Sequence, residues 1–124
     1  MGPNEVLDKG FIADTEIPQF YVVQQSDVDH CELQTTAGGD YVGICQEAAD
    51  EVDVANWRPV RVRTMGVSRG VAAGAIALRT RVSATTDGKL AAATSGHNVV
   101  GIAVSPAAAD GDWFNVQLTP GVVA

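Results

Sequence analysis

The chain is expected to be all-β: a compact barrel or sandwich made of two similar hairpin-rich halves, with a flexible N-terminal arm. Three observations predict this. Thirteen Gly and five Pro punctuate 124 residues at short intervals, as many short strands joined by tight turns require. "WRPVRVRTMGVS" and "WFNVQLTPG" alternate apolar and polar residues, the period-two pattern of half-exposed antiparallel strands. Finally, "YVGICQEAADEVDVANWRPVRVR" is echoed by "VVGIAVSPAAADGDWFNVQL". Both stretches contain Val-Gly-Ile, pass through Ala-Ala and an acidic turn, and reach a Trp and then a strand.

Taken in order, residues 1–12 read as a loosely held arm. "IPQFYVVQQ", from Ile17 to Gln25, is rich in β-formers. "HCELQTT" enters the turn "AGGD", and "YVGICQ" follows with Gly43 marking a bulge or a close backbone approach. "EAADEVDVAN" is either a short helix or an acidic loop. In "WRPVRVRTMGVS", Val60 and Val62 face one way and Arg61 and Arg63 the other, and Pro59 marks a strand start or an edge. "AIALRTRVSA" reads as strand rather than helix, because Gly74 and the Val and Thr content oppose a helix interior. Asp87-Gly88 suits a type I′ hairpin turn. "KLAAATSG" and "NVVGIAV" are two short strands, and "WFNVQLTPG" closes the series.

Aligning the echo pairs Leu33 with Leu90, Gly39 with Gly96, Val42-Gly43-Ile44 with Val100-Gly101-Ile102, Trp57 with Trp113, and Val60 with Val116. The repeats span 17–66 and 74–121 of a single β domain. Two copies are too few for a solenoid. Each half alone would expose an apolar face, so the halves are expected to complete one core.

The net charge of −7 is unevenly spread. Residues 1–56 hold twelve acids and only Lys9 as a base; residues 57–124 hold seven bases and three acids. An acidic chain without a basic run is a poor nucleic-acid binder. The polarity either orients one copy against another or against a larger assembly, or is an uneven solvated surface. No apolar run approaches the roughly 18 residues of a membrane-spanning helix. The N-terminus lacks the apolar run of a signal peptide, and Val6 breaks a myristoylation motif.

Cys31 and Cys45 would lie nearly opposite each other if their strands formed a hairpin closed near Gly38-Gly39. A disulfide is compatible with that arrangement, but free buried thiols are the expectation outside a Cys-dense scaffold. No enzymatic constellation is evident. His30, Cys31, Cys45 and His97 lack metal-ligand spacing. There is no nucleophile elbow, no calcium-loop order in "EAADEVD" and no phosphate loop. Catalytic, cofactor and metal residues are therefore expected to be none. Trp57 and Trp113 are read as capping the core of their own halves, with binding anchors as the alternative. Arg58, Arg61, Arg63 and Arg69 form either an electropositive stripe for an acidic partner or a solvated strand face.

The segment "GVAAGAIALRTRVSATTDGKLAAATSGHNVVGIAVSPAAADGDWFNVQL" resembles the small capsid cement, or head decoration, proteins of tailed bacteriophages. The resemblance rests on a Gly-rich strand entry at Gly70–Ile76, a turn at Asp87–Leu90, a Val-Gly-Ile strand within Gly96–Ala103, and the finish Ala107–Leu118. It covers the second half of the chain well and the first half mainly through the repeat. It implies a β-rich, non-enzymatic protein on the outside of a virion capsid, assembled in the host cytoplasm and commonly trimeric. Its partner would be the major capsid protein, whose subunits it would bridge, with no cofactor, nucleic acid or membrane involved. In that setting the arm, through Val6, Leu7 and Phe11, and the four arginines are candidate partner contacts. The alternatives are a phage tail or fibre component, or a carbohydrate-binding β domain.

Overall fold

A computed structural model describes residues 7–122. Its strands are β1 (Leu7–Ala13), β2 (Val22–Asp27), β3 (His30–Leu33), β4 (Gly43–Cys45), β5 (Pro59–Val71), β6 (Arg81–Ala84), β7 (Leu90–Ala92), β8 (Asn98–Ala103) and β9 (Trp113–Val122). The one described helix, α1, is Glu51–Ala55. The strand order β1-β3-β2-β4-β5 closes on itself through an antiparallel β1–β5 ladder, making a five-stranded barrel. The order then continues as β5-β9-β8-β6-β7. A parallel bridge between Ala72 and Leu90 brings β7 back to the end of β5. Residues 59–65 of β5 therefore serve the first barrel, and Gly66–Val71 serve the second.

The hydrogen-bond pattern of one half recurs in the other. The parallel contact of Ala13 with Cys31 has its counterpart in Ala72 with Leu90. Ile17 bridges Ala49 as Ile76 bridges Ala107. Val23 pairs Leu33 as Val82 pairs Ala92, and Cys45 pairs Val62 as Ala103 pairs Val116. These registers correct the alignment read from sequence. Cys31, not Leu33, corresponds to Leu90, and Val62, not Val60, corresponds to Val116. Pro59, not Trp57, corresponds to Trp113. The Val62 and Pro59 shifts arise because the segment from Ala49 to Pro59 is longer than that from Ala107 to Trp113. The extra length is α1, started by a capping box in which Asp50 accepts from Asp53 N and the Asp53 carboxylate accepts from Asp50 N.

The Val-Gly-Ile echo has a steric cause. A Cβ on Gly43 would lie 2.2 Å from the carbonyl oxygen of Arg63, and a Cβ on Gly101 would lie 2.2 Å from that of Gln117. At the corresponding point of each barrel, backbone lies directly over backbone, and only glycine fits.

Other expectations change. Residues 7–12, assigned to an arm, are β1: six of them pair with β5, and Phe11 is buried in the core. An apolar residue that fills the barrel has more to gain there than in solvent. Residues 1–6, including Val6, lie outside the described residues. "AIALRTRVSA" is strand only from Arg81, because Arg79 adopts a left-handed φ of 69°. The Asp87-Gly88 turn is not type I′: only Gly88 has positive φ, and Gly88 N bonds to Thr85 O, a type I turn closed by a left-handed glycine. Cys31 and Cys45 are not on a hairpin either, since β2 lies between β3 and β4. Both are free and fully buried in the core of the first barrel. Burial pushes the Cys31 thiol up to about 12 and the Cys45 thiol up to about 11, so both stay protonated and unreactive at neutral pH.

The barrels meet through side chains that leave the first barrel outward. Val22 and Ile44 are fully buried and join the apolar cluster of the second half, with Phe20 and Tyr41 packed against it. The Tyr41 hydroxyl donates to Val99 O at 2.9 Å, and Val22 N donates to Gly88 O at 2.8 Å. Gly43→Ala or Gly101→Ala should lower stability by about 3 kcal/mol, since the backbone must move to admit a methyl group. Gly74→Ala, with nothing within 4 Å, should stay within about 0.5 kcal/mol of wild type. Urea unfolding of the three variants checks this.

Candidate functional site

Strand alternation places the outward residues of β5 and β9 on the barrel walls, and it is these walls that are available to a partner. In the first barrel the wall is electrostatically self-sufficient. Asp8 and Arg63 stand opposite each other in the β1–β5 ladder. Arg63 Nε donates to Asp8 Oδ1 at 2.9 Å, and its Nη2 donates to Asp8 Oδ2 at 3.3 Å. This two-pronged pairing suits a planar guanidinium. Arg63 Nη1 also reaches Val67 O at 2.9 Å, on the part of β5 that belongs to the second barrel. Arg61 lies 3.5 Å from Asp8 and 3.4 Å from Glu47, and Arg58 lies 3.5 Å from Asp53. Thus three of the four arginines singled out from the sequence are held by the chain's own carboxylates. The Arg63 hydrogen bond, reinforced by the charges of Arg63 and Arg61, holds the Asp8 carboxyl below the usual range against the opposing effect of burial.

Arg69 is the exception. No carboxylate pairs with it among the described residues, and its guanidinium sits 5.5 Å from the centre of the Trp113 ring. Trp113 is 53% exposed and meets the edge of Phe20 at 5.1 Å. Arg69, Ser105, Trp113, Phe114 and Asn115 line a cavity of about 220 Å³. Trp57, on the first barrel, is 67% exposed in a left-handed conformation, with His30 edge-on at 5.6 Å. Neither Trp caps a core, which corrects the sequence reading. Core-filling at the Trp113 end of β9 falls instead to Phe114, which is buried.

The remaining candidate contacts separate. Leu7 is exposed opposite Met65, whereas Phe11 is buried. His30 Nδ1 bonds to Asp14 at 2.7 Å. His97 bonds to Ser83 at 2.9 Å and packs over Gly38 where the halves meet. Among the described residues no three His, Cys, Asp or Glu side chains form a group able to hold a metal ion, and no helix is long and apolar enough to cross a membrane.

This architecture has a known counterpart. The fold is similar to that of the N base of the head fiber gp8.5 of bacteriophage phi29. The TM-score is 0.70, with 97% of this chain and 99% of that chain covered, at 13% sequence identity. At that identity the likeness is one of fold. No family model matches the chain, and no curated protein matches its sequence, so no family match stands behind the cement-protein resemblance of Gly70–Leu118.

Sequence reasoning missed Arg79 and Arg81 as surface groups and mistook the role of Trp113. The signal was present in both cases. "LRTRV" places Arg79 and Arg81 two apart, and β9 alternation puts Trp113 with Asn115 and Gln117 on the polar side.

The Asp8–Arg63 pair makes a pH-dependent prediction. The folded-state pKa of Asp8 is depressed, so its contribution is present above the unfolded value of about 3.9 and is lost as pH falls through the lower folded value. Asp8→Asn should cost about 1 kcal/mol at pH 7. The gap from wild type should be smaller at about pH 3, below that unfolded value. Urea titrations at the two pH values measure it.

Proposed function

We propose that this chain is a structural component of a tailed-phage virion that attaches to the outside of the assembled head and stabilises it by bridging major capsid subunits. The observation that carries this reading is the likeness in fold, over essentially the whole chain, to the N base of a phage head fiber. The cement-protein resemblance of Gly70–Leu118 points to the same location. The chain's chemistry fits a passive role. Its two thiols are buried and protonated, and its histidines bond to Asp14 and to Ser83. Its exposed arginines, carboxylates and tryptophans are groups that can make non-covalent contacts with a partner. A lattice of repeated weak contacts can sum to tight attachment without any single strong site.

Trp57 and Trp113 favour a second reading, a carbohydrate-binding β domain, because both present exposed rings on which a sugar face can stack. Quenching or a shift of Trp fluorescence on adding glycans would support that reading.

The purified protein should co-sediment with mature, undecorated shells of its source virus, saturating at a fixed ratio to the shell subunit. Intact, expanded shells that leave the protein in the supernatant would overturn the shell-binding role.

A further inference from the structure

The second barrel has an outward wall built from the same positions as the first but with different chemistry. Its rows are Val67–Gln117–Ile102–Arg81 and Arg69–Asn115–Val104, with Trp113 at one end. The corresponding first row in barrel one is Asp8–Arg63–Ile44–Val22. There Asp8 neutralises Arg63, and the second barrel covers Ile44 and Val22. In the second barrel, Val67 stands where Asp8 would be and Arg81 where Val22 would be. Gly66–Val71, β6, β8 and β9 contain no Asp or Glu. Arg69 and Arg81 meet no carboxylate among the described residues. Val67, Val104 and Trp113 are exposed between them, and the 220 Å³ cavity beside Arg69 opens among these residues. The wall is basic, partly apolar and uncovered.

The complement lies on the first barrel of the same chain. The β2–β3 turn presents Asp27-Val28-Asp29, with Val28 75% exposed. α1 presents Glu51-Val52-Asp53, with Val52 64% exposed. The Trp57–His30 contact joins the two segments. Asp27 and Glu51 have no ion-pair partner among the described residues, and Asp29 has only exposed Lys9 at 3.6 Å. Residues 7–65 carry eleven carboxylates against four cations, and residues 66–122 carry three against four.

We propose that the Arg69–Arg81 wall of one copy binds the Asp27–Asp29 and α1 pole of a second copy, head to tail. Each pole offers what the other lacks: carboxylates for unpaired guanidiniums, and Val28, Val52 and Trp57 for the apolar strip of Val67, Val104 and Trp113. Two different surfaces meet, so the contact is heterologous and builds a ring where the rotation closes and a chain where it does not. Exposed charge pairs steer and orient such a contact and are screened by salt. The inference goes beyond shell attachment and does not depend on it, since no shell enters the test.

Sedimentation velocity of the full chain, across a concentration series at low and high salt, tests it. Wild type should form species larger than 12.9 kDa at low salt, weakening about tenfold or more at high salt. Arg69→Glu with Arg81→Glu should be monomeric alone, and so should Asp27→Lys with Asp29→Lys. Mixing these two variants should restore association, because the glutamates on the wall of one then meet the lysines at positions 27 and 29 of the other; restoration also shows that both are folded. Arg69→Gln with Arg81→Gln should weaken association without reversing it. A wild type that stays monomeric throughout overturns the proposal. So does association indifferent to salt, or a mixture of the two charge-reversed variants that stays monomeric while each melts like wild type.

Discussion

Strand β5 is the constraint on which the rest of the molecule depends. It is the thirteen-residue stretch that takes part in both barrel closures. Its first part pairs with β1 and β4, and its second part pairs with β9. Five short strands cannot hide their edges unless the sheet closes, and here one strand closes two sheets. Losing its register would turn Val60 and Val62 outward and Arg61 and Arg63 inward, because alternation has a period of two. The repeated glycine at Gly43 and Gly101 answers the same constraint: a small barrel brings backbone onto backbone, and both halves meet the problem at the same place.

Around that shared strand the halves have diverged where they meet the outside. The first barrel spends its outward wall on the second, burying Val22 and Ile44 and satisfying Arg61 and Arg63 with Asp8 and Glu47. In the second barrel Phe20 meets Trp113 at one end of the equivalent wall, Val67 and Val104 stay exposed, and Arg81 stands where Val22 would be. The charge asymmetry of the chain is therefore partly consumed in ion pairs within the molecule and partly left at its surface. The unpaired Arg69 and Arg81 on one barrel and the exposed Asp27 and Glu51 on the other are what remains of that asymmetry at the surface.

Much of this was legible in the sequence. The all-β class, the two-part plan, the role of Gly43 and the outward facing of Arg61 and Arg63 follow from local rules of alternation and sterics. The same rules, used more strictly, would have placed Trp113 outside, since it shares a face with Asn115 and Gln117. What failed was the matching of the two Trp residues. A pattern search rewards identical letters, whereas ladder register depends on residue count between strands, and α1 changes that count.

Strand chemistry, turn glycines and charge content were set by the order of residues alone, because each depends on neighbours within a few positions. Tertiary structure alone decided the rest. It drew residues 7–12 out of an expected arm and into β1, since Phe11 gains burial only once β5 is in place beside it. It put β2 between the two cysteine strands, and it chose which arginines find a carboxylate. Those outcomes join residues distant along the chain, such as Asp8 and Arg63 or Ile44 and the second core, and only closure of the barrels brings them within reach.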